Sequence, residues 1–189
     1  MTEGDELTTL PDSLLLEGLG RGDAASFEVL FYRHYERVYG LLFRLVGNQA
    51  EAEDLTQEVF LRLYRRPPAG RAEHNLAAWL YQVATRLGYN AIRGRRRLWQ
   101  RNVHLLPDPA GSPDTALRVE ERETRQRVRA ALAHLPQRQA QLLLLRQMGL
   151  SYEELAAVCQ VAPGSVGTLL ARAAQAFKQV YGDEKERQV

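Results

Sequence analysis

Apolar residues recur three and four positions apart along most of the chain, the spacing that gives a helix one inward face. A short helix is expected within Leu7–Gly20, around Leu14, Leu15 and Leu19. Asp23 can accept orphan N–H groups and start a long helix whose inner positions are Phe27, Leu30, Phe31, Val38, Leu41, Leu42 and Leu45, ending at Gly47-Asn48. Tyr32, Tyr35 and Tyr39 on that helix read as packing residues with wet hydroxyls. The next helix runs from about Ala50 to Arg66 with Ala52, Leu55, Val59 and Leu63 inward, and Pro67-Pro68 stops it. From Leu76 another begins, with Leu76, Leu80, Val83, Leu87 and Ile92 turned to the core. Periodicity then lapses over 102–112, where Pro107, Pro109 and Gly111 mark a linker. Ser112-Pro113 starts a helix ended by Pro136, and Gln137 to Met148 forms the next, closed by Gly149. Ser151 with Glu154 forms a capping box for a short helix, and Pro163 opens another after a brief turn. The expected fold is all-α: two small helical domains, 1–101 and 113–189, joined by the Pro/Gly-containing linker 102–112, the second domain ending in a helix-turn-helix.

Three outward faces carry chemistry. On the second long helix Asp54, Gln57, Glu58 and Leu61 share a side at i, i+3, i+4 and i+7, a polar face interrupted by an exposed leucine. Such a face suits a docking partner helix. The helix from Leu76 presents Arg86, Tyr89, Asn90 and Arg93, followed by Arg95, Arg96 and Arg97, with no acid anywhere between Glu73 and Asp108. An exposed helix normally mixes charge signs for i,i+4 pairing. Guanidinium groups interleaved with a ring and an amide suit a nucleic acid: arginine for phosphate, a ring for stacking, Asn for a base edge. In the loop before it, Arg71, His74 and Asn75 are available to the same ligand. The third face belongs to the last helix of the helix-turn-helix.

Composition narrows the class. Net charge is only +2, so attraction to a polyanion must come from local clustering. Cys159 is the single cysteine; it excludes an internal disulfide framework and reads as a buried small apolar residue. No apolar run approaches the roughly 20 residues of a membrane span, and the acidic opening Met1-Thr-Glu-Gly-Asp-Glu6 has the wrong charge for a secretory signal. A cytoplasmic location is expected. His34, His74, His104 and His134 lack metal spacing, and Gly164-Ser-Val-Gly167 lacks the lysine of a phosphate-cradling loop. The chain reads as no enzyme, with no catalytic residue, metal or cofactor.

Taken together, the Asp54-Leu-Thr-Gln-Glu-Val-Phe60 helix, the Trp79-Leu80 helix ending in arginines, the Pro-containing linker and the final helix-turn-helix resemble a bacterial RNA polymerase sigma factor of the extracytoplasmic-function group. The resemblance spans roughly Leu14 to Tyr181. It implies a transcription initiation factor that binds core RNA polymerase and directs it to promoter DNA, with an anti-sigma factor as a further partner. Asp54, Gln57, Glu58, Phe60 and Leu61 then fall where the family grips polymerase. Arg71, His74, Asn75, Arg86, Tyr89, Asn90, Arg93, Arg95, Arg96 and Arg97 fall where it reads and opens the minus-ten element. Ser165, Thr168, Leu169 and Arg172 fall on the helix that reads the minus-thirty-five element. The chain departs from the family pattern at Arg86 (usually Asn), Asn90 (usually an acid), Gly167 and Leu169 (usually basic) and Ala162 (usually a Ser or Thr cap). Two other readings compete: a sigma mimic that binds an anti-sigma partner without DNA, and a helix-turn-helix regulator. The first leaves the acid-free arginine stretch unexplained, the second the docking face.

Overall fold

The computed structural model describes residues 7–68, 75–101 and 116–186. Among them every regular element is helical: α1 Asp12–Gly20, α2 Ala24–Val46, α3 Gln49–Arg65, α4 Leu76–Arg101, α5 Ala116–His134, α6 Gln137–Gln147, α7 Tyr152–Cys159, a 3-10 turn Pro163–Ser165 and α8 Val166–Glu186. The expected linker over 102–112 and the Ser112-Pro113 helix start lie outside the described residues. The chain divides into two compact units, Met1–Gly88 and Tyr89–Val189. Helix α4 runs from the first unit into the second.

In the first unit, α2 is anchored at both ends by its own sequence. Asp23 accepts from the backbone N–H groups of Ala25 and Ser26, and Gly47 takes the left-handed conformation, φ 75°, that terminates it. Its inner face buries Leu30, Val38, Leu41, Leu42, Leu45 and Val46. The core of α3 is Ala52, Thr56, Val59, Phe60 and Leu63, close to the expected stripe, with Leu55 only half-buried. Thr56 satisfies its buried hydroxyl by donating to the Ala52 carbonyl at 2.7 Å. Along α2 the rings of Phe27, Phe31, Tyr35, Tyr39 and Phe43 follow one another at i+4, with Tyr35 and Tyr39 stacked 6.0 Å apart. Phe60 inserts against this ladder, its centroid 4.8 Å from that of Phe31. At Gly88 the fold demands the missing side chain: a Cβ there would lie 3.0 Å from Leu45 Cδ1 and 3.4 Å from Leu42 Cδ2.

A polar cluster ties α1 to α2. Asp12 pairs with Arg33 through one carboxylate oxygen and lies 2.7 Å from His34 Nε2 through the other, while Arg33 Nη2 donates to the Thr8 carbonyl at 2.9 Å. Burial alone would push the Asp12 carboxyl up, but the hydrogen bonds and charges of His34 and Arg33 outweigh it and hold the group below 3.8. The folded carboxyl therefore binds its proton less tightly than the unfolded one. The stabilisation is present above the unfolded value and is lost as pH falls through the lower folded value. Urea unfolding at a series of acid pH values should show this limb in the wild type. In Asp12→Asn it should be smaller, since Asp23, also held low by its Ser26 hydrogen bond, still contributes, and the midpoint at neutral pH should fall; an unchanged acid limb would show that the cluster contributes nothing.

In the second unit, α6 buries Ala140, Leu142, Leu144 and Leu145, and Gly149 beyond it takes φ 90°. The expected capping box of α7 is complete: Glu154 N–H donates to Ser151 Oγ at 3.2 Å, and Ser151 N–H donates to Glu154 Oε2 at 2.7 Å. Leu155, Ala156, Val158 and Cys159 turn inward. The turn after α7 begins with Gln160 in the left-handed region at φ 53°, a position where glycine or asparagine is the commoner solution. The chain bends by 105° between Tyr152–Cys159 and Pro163–Gly182, within the roughly 90–120° of a helix-turn-helix. No single helix among the described residues is long and apolar enough to cross a membrane.

Candidate polymerase and nucleic-acid surfaces

The docking face of α3 is only partly as expected. Asp54 and Gln57 are exposed, and Leu61 is 44% exposed. Glu58 is half-exposed and its carboxylate accepts from Arg62 Nε at 2.8 Å, an i,i+4 pair that a partner cation would have to share or displace. Phe60 does not belong to this face. It is 2% exposed and packs against Phe31 and Tyr35. Phe60 lies three residues from the exposed Gln57 but also three from Leu63 and four from Thr56, both core residues, so it sits at the edge of the face and its packing against Phe31 takes it inward. Tyr64, 53% exposed and edge-on to Phe27 at 5.1 Å, extends the apolar part of the surface instead. Its spacing, three residues beyond Leu61 and seven beyond Gln57, was the signal available in the sequence.

The arginine helix keeps most of its outer face. Arg86, Asn90, Arg93, Arg95 and Arg97 are exposed. Arg93 Nη2 donates to Asn90 Oδ1 at 2.6 Å, which occupies the amide oxygen and leaves the amide N–H groups to donate outward. Tyr89 departs from the expectation. It is 8% exposed, its hydroxyl is buried without a hydrogen-bond partner, and burial, with a smaller effect of Cys159, pushes that hydroxyl well above the ordinary tyrosine range. Tyr89 lies three residues from Arg86 but four from the buried Thr85, so it sits on the boundary between faces. In this structure its ring has no open side for a base. Asn75 begins the helix rather than standing free: its side-chain oxygen accepts from Ala78 N–H at 2.9 Å. Arg71 and His74 lie outside the described residues, as does the side chain of Arg96.

On α8, Thr168 and Arg172 are exposed, Leu169 is half-buried, and Ser165 is exposed in the 3-10 turn before it. Val166 and Ala173 hold the helix to its core. Ser165 N–H donates to Ala162 and Val166 N–H to Pro163, so two of the N–H groups at this helix start are already engaged. The sequence reading missed Tyr152 and Arg146. A Cβ at Gly167 would lie 3.6 Å from Tyr152 Cε2, and the Arg146 guanidinium stands 5.6 Å from the centre of that ring. At that distance a Cβ would make ordinary contact with the ring. Cys159 is buried, and burial pushes its thiol up to about 11, which leaves it unreactive at neutral pH.

Two family models match the chain: Sigma-70 region 2 over residues 30–98 and Sigma-70 region 4 over residues 125–177. The chain is 32% identical over 184 residues to the RNA polymerase sigma-H factor of Pseudomonas aeruginosa, covering 90% of this chain and 94% of that protein. It is 29% identical over 181 residues to the ECF RNA polymerase sigma-E factor of Escherichia coli K12, covering 89% and 93%. Its fold is similar to that of the sigma factor RpoE in complex with the anti-sigma factor NepR from Bartonella quintana, with TM-score 0.55 and 23% identity over 82% of this chain and 95% of the other.

Proposed function

The chain belongs to the extracytoplasmic-function group of the sigma-70 family and acts as a non-enzymatic transcription initiation factor that binds core RNA polymerase and directs it to promoters, and we propose here which of its surfaces do so. Residues 1–101 dock on polymerase and read the minus-ten element, 102–112 connect, and 113–189 read the minus-thirty-five element. The observation that carries this division is the exposed set Arg86, Asn90, Arg93, Arg95 and Arg97 on a helix with no acid between Glu73 and Asp108. Polymerase docks through Asp54, Gln57, Glu58 and Leu61 of α3, with Phe60 behind them fixing the helix rather than touching the partner.

The mechanism needs binding alone. Arg86, Arg93, Arg95 and Arg97 take phosphates and set the register of the minus-ten strand, while the amide of Asn90, oriented by Arg93, offers donors to a base edge. Strand opening follows when the protein holds unpaired bases more tightly than the duplex. Work of this kind on core polymerase places the protein in the cytoplasm. An anti-sigma factor is the further partner, in keeping with the complex formed by the structural relative from Bartonella quintana.

Reconstituted transcription with core polymerase tests the assignment. Gln57→Ala with Glu58→Lys should reduce core binding at least tenfold in a pull-down. The melting curve should move little, since the exposed Gln57 substitution costs within about 0.5 kcal/mol and exchanging the Glu58–Arg62 pair for like charges costs about 0.5–1 kcal/mol more. Undiminished polymerase binding by this variant would remove α3 as the docking helix.

A further inference from the structure

The outer side of α2 begins against a cavity of about 570 Å³ that it shares with the segment before α1. Leu7, Ala25 and Val29 line it with apolar surface, Tyr32 adds an aromatic ring, and Glu28 and Arg33 bring its charged groups. Tyr32 is not the packing residue its spacing predicts. At 71% exposed it is the barest large apolar side chain among the described residues. An edge-on contact with Phe31, 5.6 Å between ring centres, steadies the ring without covering it. The two charged groups differ in kind. The Arg33 guanidinium is already held by Asp12 and the Thr8 carbonyl. Glu28 is exposed and has no hydrogen bond or ion pair with any described residue. Glu36, also exposed, stands one turn beyond Tyr32 as Glu28 stands one turn before it. None of the residues assigned to polymerase or DNA lines this cavity, and Leu7, Ala25, Glu28 and Val29 precede the stretch matched to region 2.

We propose that this cavity receives an arginine side chain of a partner protein. An apolar lining, an open ring and one unpaired carboxylate match that side chain at three points along its length. The methylene stem lies on Leu7, Ala25 and Val29, as long cationic side chains do on apolar surface. The guanidinium plane covers the Tyr32 ring, and its fork of donors meets the Glu28 carboxylate. Charge complementarity selects this occupant over the others. An anion finds no free cation, because Arg33 is already paired with Asp12, and it would be repelled by Glu28. A wholly apolar anchor would cover the Glu28 carboxylate and leave it without a partner, which is costly. Lysine is a poorer match, since a compact ammonium has neither a plane to stack nor two parallel donors. The proposal does not depend on the promoter-directed reading above.

The test titrates the full-length, isotope-labelled protein with N-acetyl-arginine N-methylamide, a stand-in for a chain-borne arginine, and follows backbone amide shifts by NMR. The amides of Ala25, Glu28, Val29 and Tyr32 should move and saturate with a Kd of roughly 1–10 mM, the scale for so small a ligand. Glu28→Gln should weaken binding by about tenfold, through loss of the charge-assisted fork. Tyr32→Ala should weaken it several fold, whereas Tyr32→Phe, which keeps the ring face, should retain it. The capped lysine analogue should bind several fold more weakly, and the capped citrulline analogue, of the same shape without the charge, should not saturate. Both substituted residues are exposed, and a melting curve on each variant confirms that the fold is kept. No saturable shift at these amides, equal binding of the citrulline analogue, or wild-type affinity in Glu28→Gln overturns the proposal. Equal shifts around the exposed Asp54 would reveal unspecific pairing with surface acids and overturn it as well. Tighter binding of uncapped arginine would assign the cavity to a small metabolite, and the docking would then be wrong.

Discussion

Phe60→Ala should cost about 3–5 kcal/mol of stability, the range for removing an aromatic ring from a close-packed core. The ring is 2% exposed, lies 4.8 Å from the Phe31 ring and 6.4 Å from that of Tyr35, and its removal opens a cavity between α2 and α3. Leu61→Ala, one residue on, should do the opposite. At 44% exposed it leaves stability nearly unchanged and weakens polymerase binding, because the side chain faces outward beside Gln57 and Glu58. Urea unfolding and a core-polymerase pull-down on both variants, the latter at a temperature where each remains folded, separate the roles. A stable Phe60→Ala protein that has lost polymerase would show that this ring is a contact and not a core anchor.

Open-complex formation should depend on the minus-ten side more heavily than on the minus-thirty-five side. The first surface exposes Arg86, Arg93, Arg95 and Arg97, and the last helix exposes Thr168 and Arg172. The start of that helix offers less than its position suggests, since Ser165 and Val166 N–H groups are bonded to Ala162 and Pro163 and cannot both turn to a phosphate. Arg93→Ala removes a phosphate ligand and also frees the Asn90 amide that Arg93 now holds at 2.6 Å. With a good base-edge contact worth about 1–3 kcal/mol, it should lower open-complex yield by roughly ten- to a hundredfold. Arg172→Ala removes one charge and should lower it by only a few fold. Holoenzyme on promoters scrambled at one element at a time, with these two variants alongside, measures the difference. Greater damage from the minus-thirty-five scramble and from Arg172→Ala would sink this asymmetry.

The all-helical fold was legible in the sequence because its signals are local. Asp23 and Ser151 cap helices through side chains two or three residues from their targets, Gly47 and Gly149 end them through a backbone conformation open to glycine, and the 3.6 period of α2 needs no partner to be recognised. The arginine surface was legible for a similar reason: the absence of acids over a stretch is a property of the chain itself. Residues at the edge of a face were not legible. Phe60 lies three residues from exposed Gln57 and four from buried Thr56, and Tyr89 three from exposed Arg86 and four from buried Thr85, so spacing alone allows either assignment. Only packing chose. The ring ladder of α2 drew Phe60 inward, and the second unit covered Tyr89 beside Cys159 at the cost of an unpaired hydroxyl. Tertiary structure likewise decided what no single helix contains: Arg33 and His34 meeting Asp12, Tyr152 lying against Gly167, and Arg95 of α4 brought near enough to Arg129 of α5 for its charge to be felt. These pairs are far apart in sequence, and a pattern read within one helix carries no information about which distant helix will approach it.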